Sequence, residues 1–306
     1  MNTPQSGIIP QANCSAYFLC LNIKDPIIAK QLLLSINGKS KELSTQHPNA
    51  DLKSVIGIGC AAWEKLFRTS APNDLHDFFS LRNSFTEAVS TQFDLLIHIR
   101  SERHDINFEL ASSLMQEYSQ GLTLVDEVSG FRYLDNRDLT GFVDGTENPQ
   151  SEADRIRVAL KPGNDALSQG SFIHIQRYQH NLQTWNATPL KQQEDSIGRS
   201  KFDNIEYKTS EKPLTSHIKR AGIKREDGSP VEMLRHSMPY GNTQENGLVF
   251  ISYASTADSF PLMLKSMING DEHGNQDQLL KYTRAISGAA LYAPPIEFLN
   301  DSNNYI

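Results

Sequence analysis

The chain has 306 residues, 38% of them hydrophobic and 21% charged, which is typical of a globular protein with one large domain or two smaller ones. Its formal net charge of -7 argues against a nucleic-acid-binding protein, which needs a basic surface for the phosphate backbone. The sequence contains no apolar run that could span a bilayer, and its first residues lack the basic start and apolar core of a secretory signal. We therefore expect a cytoplasmic protein without a membrane partner.

The first half of the chain alternates segments of strand and helix character. From Leu95 to Arg100, aliphatic side chains at every second position indicate a strand. Between residues 105 and 118, apolar positions recur every four residues, which indicates an amphipathic helix. By the same reasoning we predict strands at 15–23, 55–59, 95–100 and 122–134 and helices at 26–36, 61–67 and 105–118.

The second half begins with a stretch rich in Gly, Asp, Asn and Pro at 135–154, which predicts a long loop. A similar order of elements then returns, with strands predicted at 171–178, 231–240, 247–254 and 285–293 and helices at 181–197 and 259–268. The charged stretch 194–227 is expected to run over the surface. This order favours an α+β fold of two related units, 1–138 and 139–306, each an antiparallel sheet covered by helices in the split β-α-β manner.

The first candidate for chemistry is the sequence GFVDGTENP, in which Gly141 and Gly145 flank Asp144. Glycines let the backbone bend sharply and could bring the carboxylate close to a ligand. A plain turn is the simpler alternative, because Asp-Gly and Asn-Pro are common turn formers. A glycosidase pair formed with Glu147 and a calcium loop are weaker alternatives, because the ligand spacing of a calcium loop is absent.

Two further segments carry residues suited to a cofactor site. His217 lies in TSHIKRAG, where a solvated surface histidine is the simple interpretation, yet one neutral imidazole is also sufficient to bind a heme iron. No histidine spacing in the sequence resembles a zinc enzyme. In MLRHSMPYG, a strand would place Arg235 and Ser237 on one face and His236 on the other, although Arg235 could simply pair with a surface carboxylate.

Taken together and in this order, these three segments resemble the dye-decolorizing peroxidase family. The family's G-x-x-D-G motif is complete at Gly141, Asp144 and Gly145, and SHIKRAG and MLRHSMPYG resemble the segments that bear its heme-ligating histidine and its distal arginine. QGSFIHIQRYQHNLQTW, EDSIGRSK, GLVFISYA and the closing YTRAISGAALYAPP resemble the family as well. The resemblance implies a duplicated ferredoxin-like fold with one heme b per chain, held in the C-terminal unit.

The resemblance also implies roles for individual residues. His217 would be the proximal iron ligand, Asp144 the distal acid and base, and Arg235 the distal cation. Asp277 would accept a hydrogen bond from the ligating histidine. The other residues implied to contact heme are Gly145, Ser237 and Phe250. Ser237 departs from the asparagine that some members have at this place, which should alter the local water network.

The implied reaction is the reduction of hydrogen peroxide coupled to oxidation of a small organic donor, in a homodimer or larger homo-oligomer. Because an ordinary aspartate is protonated below roughly pH 4, we expect Asp144-dependent activity on the acidic side of neutral that falls in stronger acid. A second hypothesis is a heme-handling protein, either a carrier or one that releases iron from porphyrin. A third is an α+β dimer with the fold but without the cofactor.

Overall fold

The structure is a computed structural model that describes residues 2–306. The elements of the N-terminal half are, in chain order, β1 (Ser15–Ile23), α1 (Pro26–Gln46), β2 (Lys53–Ile58), α2 (Cys60–Leu66), β3 (Leu81–Arg82), β4 (Glu87–Ala88), β5 (Leu95–Ser101), α3 (His104–Tyr118) and β6 (Leu122–Phe131). Those of the C-terminal half are α4 (Glu152–Ala159), β7 (Ser171–His180), α5 (Leu182–Ala187), α6 (Leu190–Ile197), α7 (His217–Ala221), β8 (Leu234–Arg235), β9 (Met238–Gly241), β10 (Asn246–Ala254), α8 (Ser259–Asn269), β11 (Thr283–Ala293) and α9 (Ile296–Asn300). Short 3-10 turns lie at Pro48–Ala50, Ser119–Gly121, Gln278–Lys281 and Ser302–Asn304.

The strands of each half follow the same antiparallel order. In the N-terminal half the order is β2-β5-β1-β6, and in the C-terminal half it is β11-β7-β10 followed by β9 and β8. Both orders are those of a ferredoxin-like unit, in which the first strand lies between the third and the fourth. The predicted α+β fold with duplicated ferredoxin-like units is therefore confirmed.

The two sheets join into a closed ring. At one seam Gly130 of β6 pairs with Tyr240 of β9, and at the other Ile58 of β2 pairs with Tyr292 of β11. Because both seams are only one residue pair long, the ring is closed mainly by side chains that fill its interior. A buried apolar cluster of residues from both halves, including Phe18 of β1, occupies that interior.

Burial on both faces explains why the strand segments are so apolar. Ile97 and Ile99 of β5 face helices α1 and α3 in one buried cluster, whereas Leu96 faces the interior of the ring in another. The alternation predicted for this strand is confirmed. His98 also points inward, where its Nδ1 lies 2.7 Å from the hydroxyl of Tyr253.

Three predicted elements and one predicted loop differ most from the structure. Helix α1 runs ten residues beyond the predicted end, to Gln46, and Leu43 in the added turns packs against the buried cluster beneath the helix. The predicted helix 181–197 is divided into α5 and α6 at Pro189, which has no N–H to continue the first helix. The predicted strand 231–240 is reduced to β8 and β9, although its register against β10 is unbroken. Helix α4 replaces the last residues of the predicted loop, where Ser151 caps it by accepting from Asp154 N–H.

The N-terminal segment is anchored inside the ring by a buried arginine. The Arg100 guanidinium donates to the backbone carbonyls of Gly7, Pro10 and Gln11 and to Oδ1 of Asn13, at distances from 2.6 to 3.0 Å. Burial lowers the pKa of Arg100 to about 10, so it still carries its charge at neutral pH. The carbonyl oxygens therefore take the place of water around this cation.

Within the part of the chain that the structure describes, none of the helices is both long and apolar enough to cross a membrane.

Candidate functional site

Two adjoining cavities lie between the sheet of the C-terminal half and the segments that connect its strands. Their volumes are about 390 Å³ and about 140 Å³. The residues that line both cavities are Val143, Asp144, Ile197, His217, Arg235 and Met263. The three chemically active side chains predicted from the sequence therefore meet at one place. The larger volume lies in the range that small-molecule and cofactor sites occupy.

His217 reaches the cavities from the end of the long polar segment. The segment does run over the surface as predicted, with Phe202 and Ile205 exposed, but α7 turns inward at its end. Gln278 N–H donates to Thr215 O at 3.0 Å, and Arg220 donates to Asn275 O at 3.3 Å. These contacts fix the short helix against the loop before β11.

A buried carboxylate orients the imidazole of His217. Nδ1 of His217 lies 2.7 Å from Oδ2 of Asp277, whose side chain has no exposed surface. Oδ1 of Asp277 accepts from Leu279 N–H at 2.9 Å. Burial alone would lower the pKa of His217, but the Asp277 carboxylate outweighs it and raises this pKa above its usual value. Because Nδ1 is engaged with Asp277, Nε2 is the ring nitrogen that is free to bind a ligand in the cavity.

Asp144 is held by a tightly hydrogen-bonded loop. Its own N–H donates to Asn136 O at 2.9 Å, and Oδ1 accepts from Gly145 N–H at 2.7 Å. Gly141 and Gly145 have φ values of +88° and +73°, which side chains rarely adopt, so the motif needs glycine at both places. The turn interpretation of the sequence describes the local backbone correctly, and the turn directs Asp144 to the cavity wall.

Burial and a neighbouring cation act in opposite directions on Asp144. Burial raises the pKa of this carboxyl, and Arg235 lowers it without cancelling the effect of burial. Asp138 adds a smaller contribution that also raises the pKa. The carboxyl is therefore more easily protonated than an ordinary aspartate, which suits a group that accepts and then returns a proton.

Asn148 positions Arg235, a role that no pattern in the sequence indicated. The Asn148 Oδ1 accepts from Arg235 N–H at 3.0 Å and from its Nε at 3.4 Å, while Nδ2 donates to Arg235 O at 2.8 Å. In the sequence, Asn-Pro was understood only as a turn former. A single amide side chain thus joins the Asp144 loop to the strand that bears the guanidinium.

A second network at the smaller cavity was also missed. His180 Nε2 lies 2.9 Å from Oδ1 of Asp138, and its Nδ1 lies 2.9 Å from Oγ1 of Thr283. The other Asp138 oxygen accepts from Thr140 N–H at 3.0 Å. Burial alone would raise the pKa of Asp138, but His180 and Thr140 hold it below its usual value. His180 lies two residues beyond a predicted strand and Asp138 lies in a predicted loop, so no pattern linked them.

The remaining predicted site residues differ in their placement. Gly145 lines the larger cavity and Phe250 the smaller one. Ser237 lines neither cavity. The unbroken register against β10 places it on the same face as Arg235, two residues further along, and its hydroxyl is buried with no hydrogen-bond partner among residues 2–306. His236 points the other way, as predicted, and its Nε2 donates to Ile8 O at 2.7 Å.

The donor set fits a cofactor that brings most of its own metal ligands. Among residues 2–306 no group of three His, Cys, Asp or Glu side chains could hold a bare metal ion. Heme needs a single protein ligand with an ordered imidazole, and His217 offers that with its partner Asp277. Apolar side chains such as Ile197, Met263 and Phe250 line the cavities and suit a porphyrin face, and Arg199 at the larger cavity suits a propionate.

The fold and the site together define a protein that can hold one cofactor through a single histidine, beside a carboxylate and a guanidinium. Residues 5–132 match the family model for the Dyp-type peroxidase N-terminal domain, and residues 135–298 match that for the C-terminal domain. The chain belongs to the Dyp-type peroxidase family. The resemblance seen in the sequence and the expectation of a peroxidase are thereby confirmed.

Individual relatives are similar to this chain over most of its length. The dye-decolorizing peroxidase of Mycobacterium tuberculosis is 38% identical over 271 residues, which cover 88% of this chain and 81% of that protein. A Dyp-type peroxidase structure from Shewanella oneidensis has a TM-score of 0.95 at 41% identity and covers 99% of this chain and 100% of that chain. A variant of DypB from Rhodococcus jostii in complex with heme has a TM-score of 0.93 at 32% identity, covering 98% of this chain and 99% of that chain.

Proposed function

We propose that the protein is a heme b peroxidase with one heme per chain, held mainly by the unit 139–306, and that His217 is the iron ligand. The observation that carries this proposal is the pair formed by His217 and buried Asp277 at the wall of cavities that Asp144 and Arg235 also line. The family membership and the heme complex of a relative support the choice of cofactor.

Bound heme supplies an iron centre at which the oxygen–oxygen bond of hydrogen peroxide breaks and oxidising equivalents are stored. Asp144, as the carboxylate, accepts a proton from hydrogen peroxide and returns it to the oxygen atom that leaves as water. Arg235 favours the ionised form of this carboxylate, against the effect of burial, and stabilises negative charge on the departing oxygen. Over a full cycle one hydrogen peroxide and two donor molecules give two water molecules and two one-electron-oxidised donors.

His217 and Asp277 act together as the site that would hold the iron. The Asp277 carboxylate accepts a hydrogen bond from Nδ1–H of His217 and thereby makes Nε2 more electron-rich, which would favour the oxidised state of an iron bound there. The carboxylate also fixes the ring orientation, since Leu279 N–H holds its second oxygen. Gly145 and Phe250, which line the cavities, are assigned to heme contact. Ser237 lines neither cavity and is proposed as a heme contact only because it lies on the same face as Arg235.

The test is an absorption spectrum of the heme-reconstituted protein, recorded for the wild type and for His217→Ala, before and after one equivalent of hydrogen peroxide. We expect a Soret band that is shifted or lost in His217→Ala and that changes on peroxide addition only in the wild type. An unchanged spectrum in His217→Ala would refute the ligand assignment. If the wild type binds no heme, the cofactor-free hypothesis replaces this one.

The heme-handling hypothesis is separated from the peroxidase by variants that spare His217. Asp144→Asn and Arg235→Leu should keep the Soret band and lose peroxide turnover. The heme-handling role is the correct one if two results are found together. The variants must match the wild type in a heme-transfer assay, and the wild type itself must turn over peroxide only slowly.

We also propose a homodimer or larger homo-oligomer, as the family resemblance implies, and a location in the cytoplasm. Light scattering of the purified holoprotein tests the assembly, and a single-chain mass at micromolar concentration would refute it. Cell fractionation tests the location.

A further inference from the structure

A third cavity, of about 190 Å³, lies outside the site described above. Its walls come from β7, β10 and β11, from the start of α8 and from the segment 74–81. Most of the lining side chains are apolar, among them Phe78, Phe172 and Leu291. An apolar cavity of about 150 Å³ is large enough to hold benzene, so this one can hold a single substituted aromatic ring.

Small neighbours create this cavity around His174. In the strand register His174 of β7 lies beside Ser252 of β10 and Ala290 of β11, and all three line the cavity. Since these two neighbours have short side chains, the space above the sheet is left open. The exposed side chains of Phe79 and Lys265 lie among the lining residues, so the cavity can be reached from solvent.

His174 is a buried polar group whose bonding capacity is unused. Its side chain is 5% exposed, and neither ring nitrogen has a hydrogen-bond partner in the described residues 2–306. Nε2 is fully enclosed, so Nδ1 is the nitrogen that a ligand can reach. Buried polar atoms in native proteins are normally paired, so an unpaired imidazole in a cavity points to a missing ligand or water. Burial lowers the pKa of His174 well below its usual value, so the ring is neutral and can accept a hydrogen bond.

This cavity and the candidate active site share one lining side chain. Phe260 of α8 lines both the third cavity and the smaller of the two cavities near His217. Its ring stacks on His174 with a centroid distance of 3.6 Å and contacts Phe250 with a centroid distance of 5.0 Å. The aromatic rings of His174, Phe260 and Phe250 thus form a continuous path between the two places.

From this arrangement we propose that the third cavity binds a small phenol, which donates its hydroxyl hydrogen bond to His174 and serves as an electron donor. The proposal rests on the proposed peroxidase function. Each bound phenol loses one electron to the oxidised active site and its hydroxyl proton to His174, which passes the proton to solvent. Two such phenols and one hydrogen peroxide give two phenoxyl radicals and two water molecules.

The first test measures binding without turnover. Phenol and toluene are titrated into the heme-loaded protein by calorimetry, with no peroxide present, for the wild type and for His174→Phe. This variant keeps a ring to stack on Phe260 and removes only the acceptor. We expect phenol affinity to fall about tenfold in His174→Phe, the typical effect of one lost hydrogen bond, while toluene affinity changes less than twofold. Equal phenol affinity in both proteins would overturn the role of His174.

A second variant tests the cavity itself. Ala290→Leu fills the space with a larger side chain and should weaken phenol and toluene alike, by at least tenfold, while thermal melting confirms that the variant is folded. Binding of both molecules that survives in Ala290→Leu would place them elsewhere and overturn the proposal.

Turnover then separates this proposal from the peroxidase assignment. With hydrogen peroxide, the KM for phenol should rise about tenfold in His174→Phe, while oxidation of hexacyanoferrate(II), an anion unsuited to an apolar cavity, should stay unchanged. If hexacyanoferrate(II) is oxidised and phenol does not bind, the cavity proposal fails and the peroxidase assignment stands. If the wild type oxidises neither donor, the peroxidase assignment fails.

Discussion

Nδ1 of His217 and Oδ2 of Asp277 lie 2.7 Å apart, and the carboxylate is completely buried. This contact links the end of a polar surface segment to the loop before β11, sixty residues further along the chain. A buried carboxylate is stable in this position because His217 and Leu279 N–H satisfy both of its oxygens.

We predict that Asp277→Asn retains heme but lowers peroxidase turnover about 10- to 100-fold, the usual effect of losing such a supporting partner. The amide accepts a weaker hydrogen bond, so Nε2 becomes less basic and the reduction potential of the bound iron should rise. Spectroelectrochemical titration measures that potential. A potential equal to that of the wild type would show that Asp277 has only a structural role.

Heme affinity should depend on pH through His217. A protonated imidazole cannot bind iron, and Asp277 raises the pKa of His217 above its usual value of about 6.5 despite burial. Heme affinity should therefore be full above that raised pKa and fall about tenfold for each pH unit below it. In Asp277→Asn the fall should begin at lower pH. Equilibrium heme titrations between pH 5 and pH 9 test both expectations, and identical curves would contradict them.

Peroxidase activity should have an acid limb set by Asp144. The carboxyl must be ionised to accept a proton, so activity is lost as pH falls through its pKa, which burial raises above the ordinary value of about 3.9. The limb should therefore lie at higher pH than the sequence alone led us to expect. Asp144→Asn should reduce kcat by about 10²- to 10⁴-fold and remove the limb. Glu152→Gln, an exposed change of the same kind, serves as the control, and a flat wild-type profile would exclude Asp144 as the base.

Asn148→Ala should lower turnover about tenfold by releasing Arg235, with heme binding intact. Arg235→Leu should lower kcat about 10²- to 10³-fold, which is the usual effect of losing an electrostatic stabiliser. Because Asn148 acts through Arg235, the double variant should be no slower than Arg235→Leu alone. Steady-state kinetics of the three variants test this, and multiplicative effects would show that Asn148 acts independently.

Arg100→Leu should lower the free energy of unfolding by about 3–5 kcal/mol, because it leaves several buried carbonyls of the N-terminal segment without a donor. Arg284→Leu, at an exposed position, should change it by no more than about 0.5 kcal/mol. Denaturant unfolding monitored by circular dichroism measures both. Similar midpoints for the two variants would contradict this account.

Elements with a clear hydrophobic period could be predicted from the sequence. The alternation in β5 and the four-residue repeat in α3 reflect burial against fixed neighbours, and both elements appear where expected. Helix α4 could not be predicted by period because this short helix buries only Val158 and Ala159, and its cap Ser151 lies in a turn-rich stretch.

Some residues of the candidate site could also be predicted from the sequence, and others could not. Asp144, His217 and Arg235 were found because whole segments around them resemble a family. Asn148 and the pair formed by Asp138 and His180 were not found, because their significance lies in contacts between segments far apart in the chain. Nor does a sequence reveal that Ser252 and Ala290 flank His174, since that requires the register of three strands.

The closed ring of strands has a consequence for synthesis of the protein. While only the N-terminal half has emerged from the ribosome, β2 and β6 present open backbone edges. The apolar residues that later fill the ring are then exposed to water. These edges could pair with those of another nascent chain. The yield of functional protein should therefore depend less on the stability of the finished fold than on how long this intermediate is exposed. Rapid completion of translation, or a chaperone bound to the N-terminal half, would shorten that exposure.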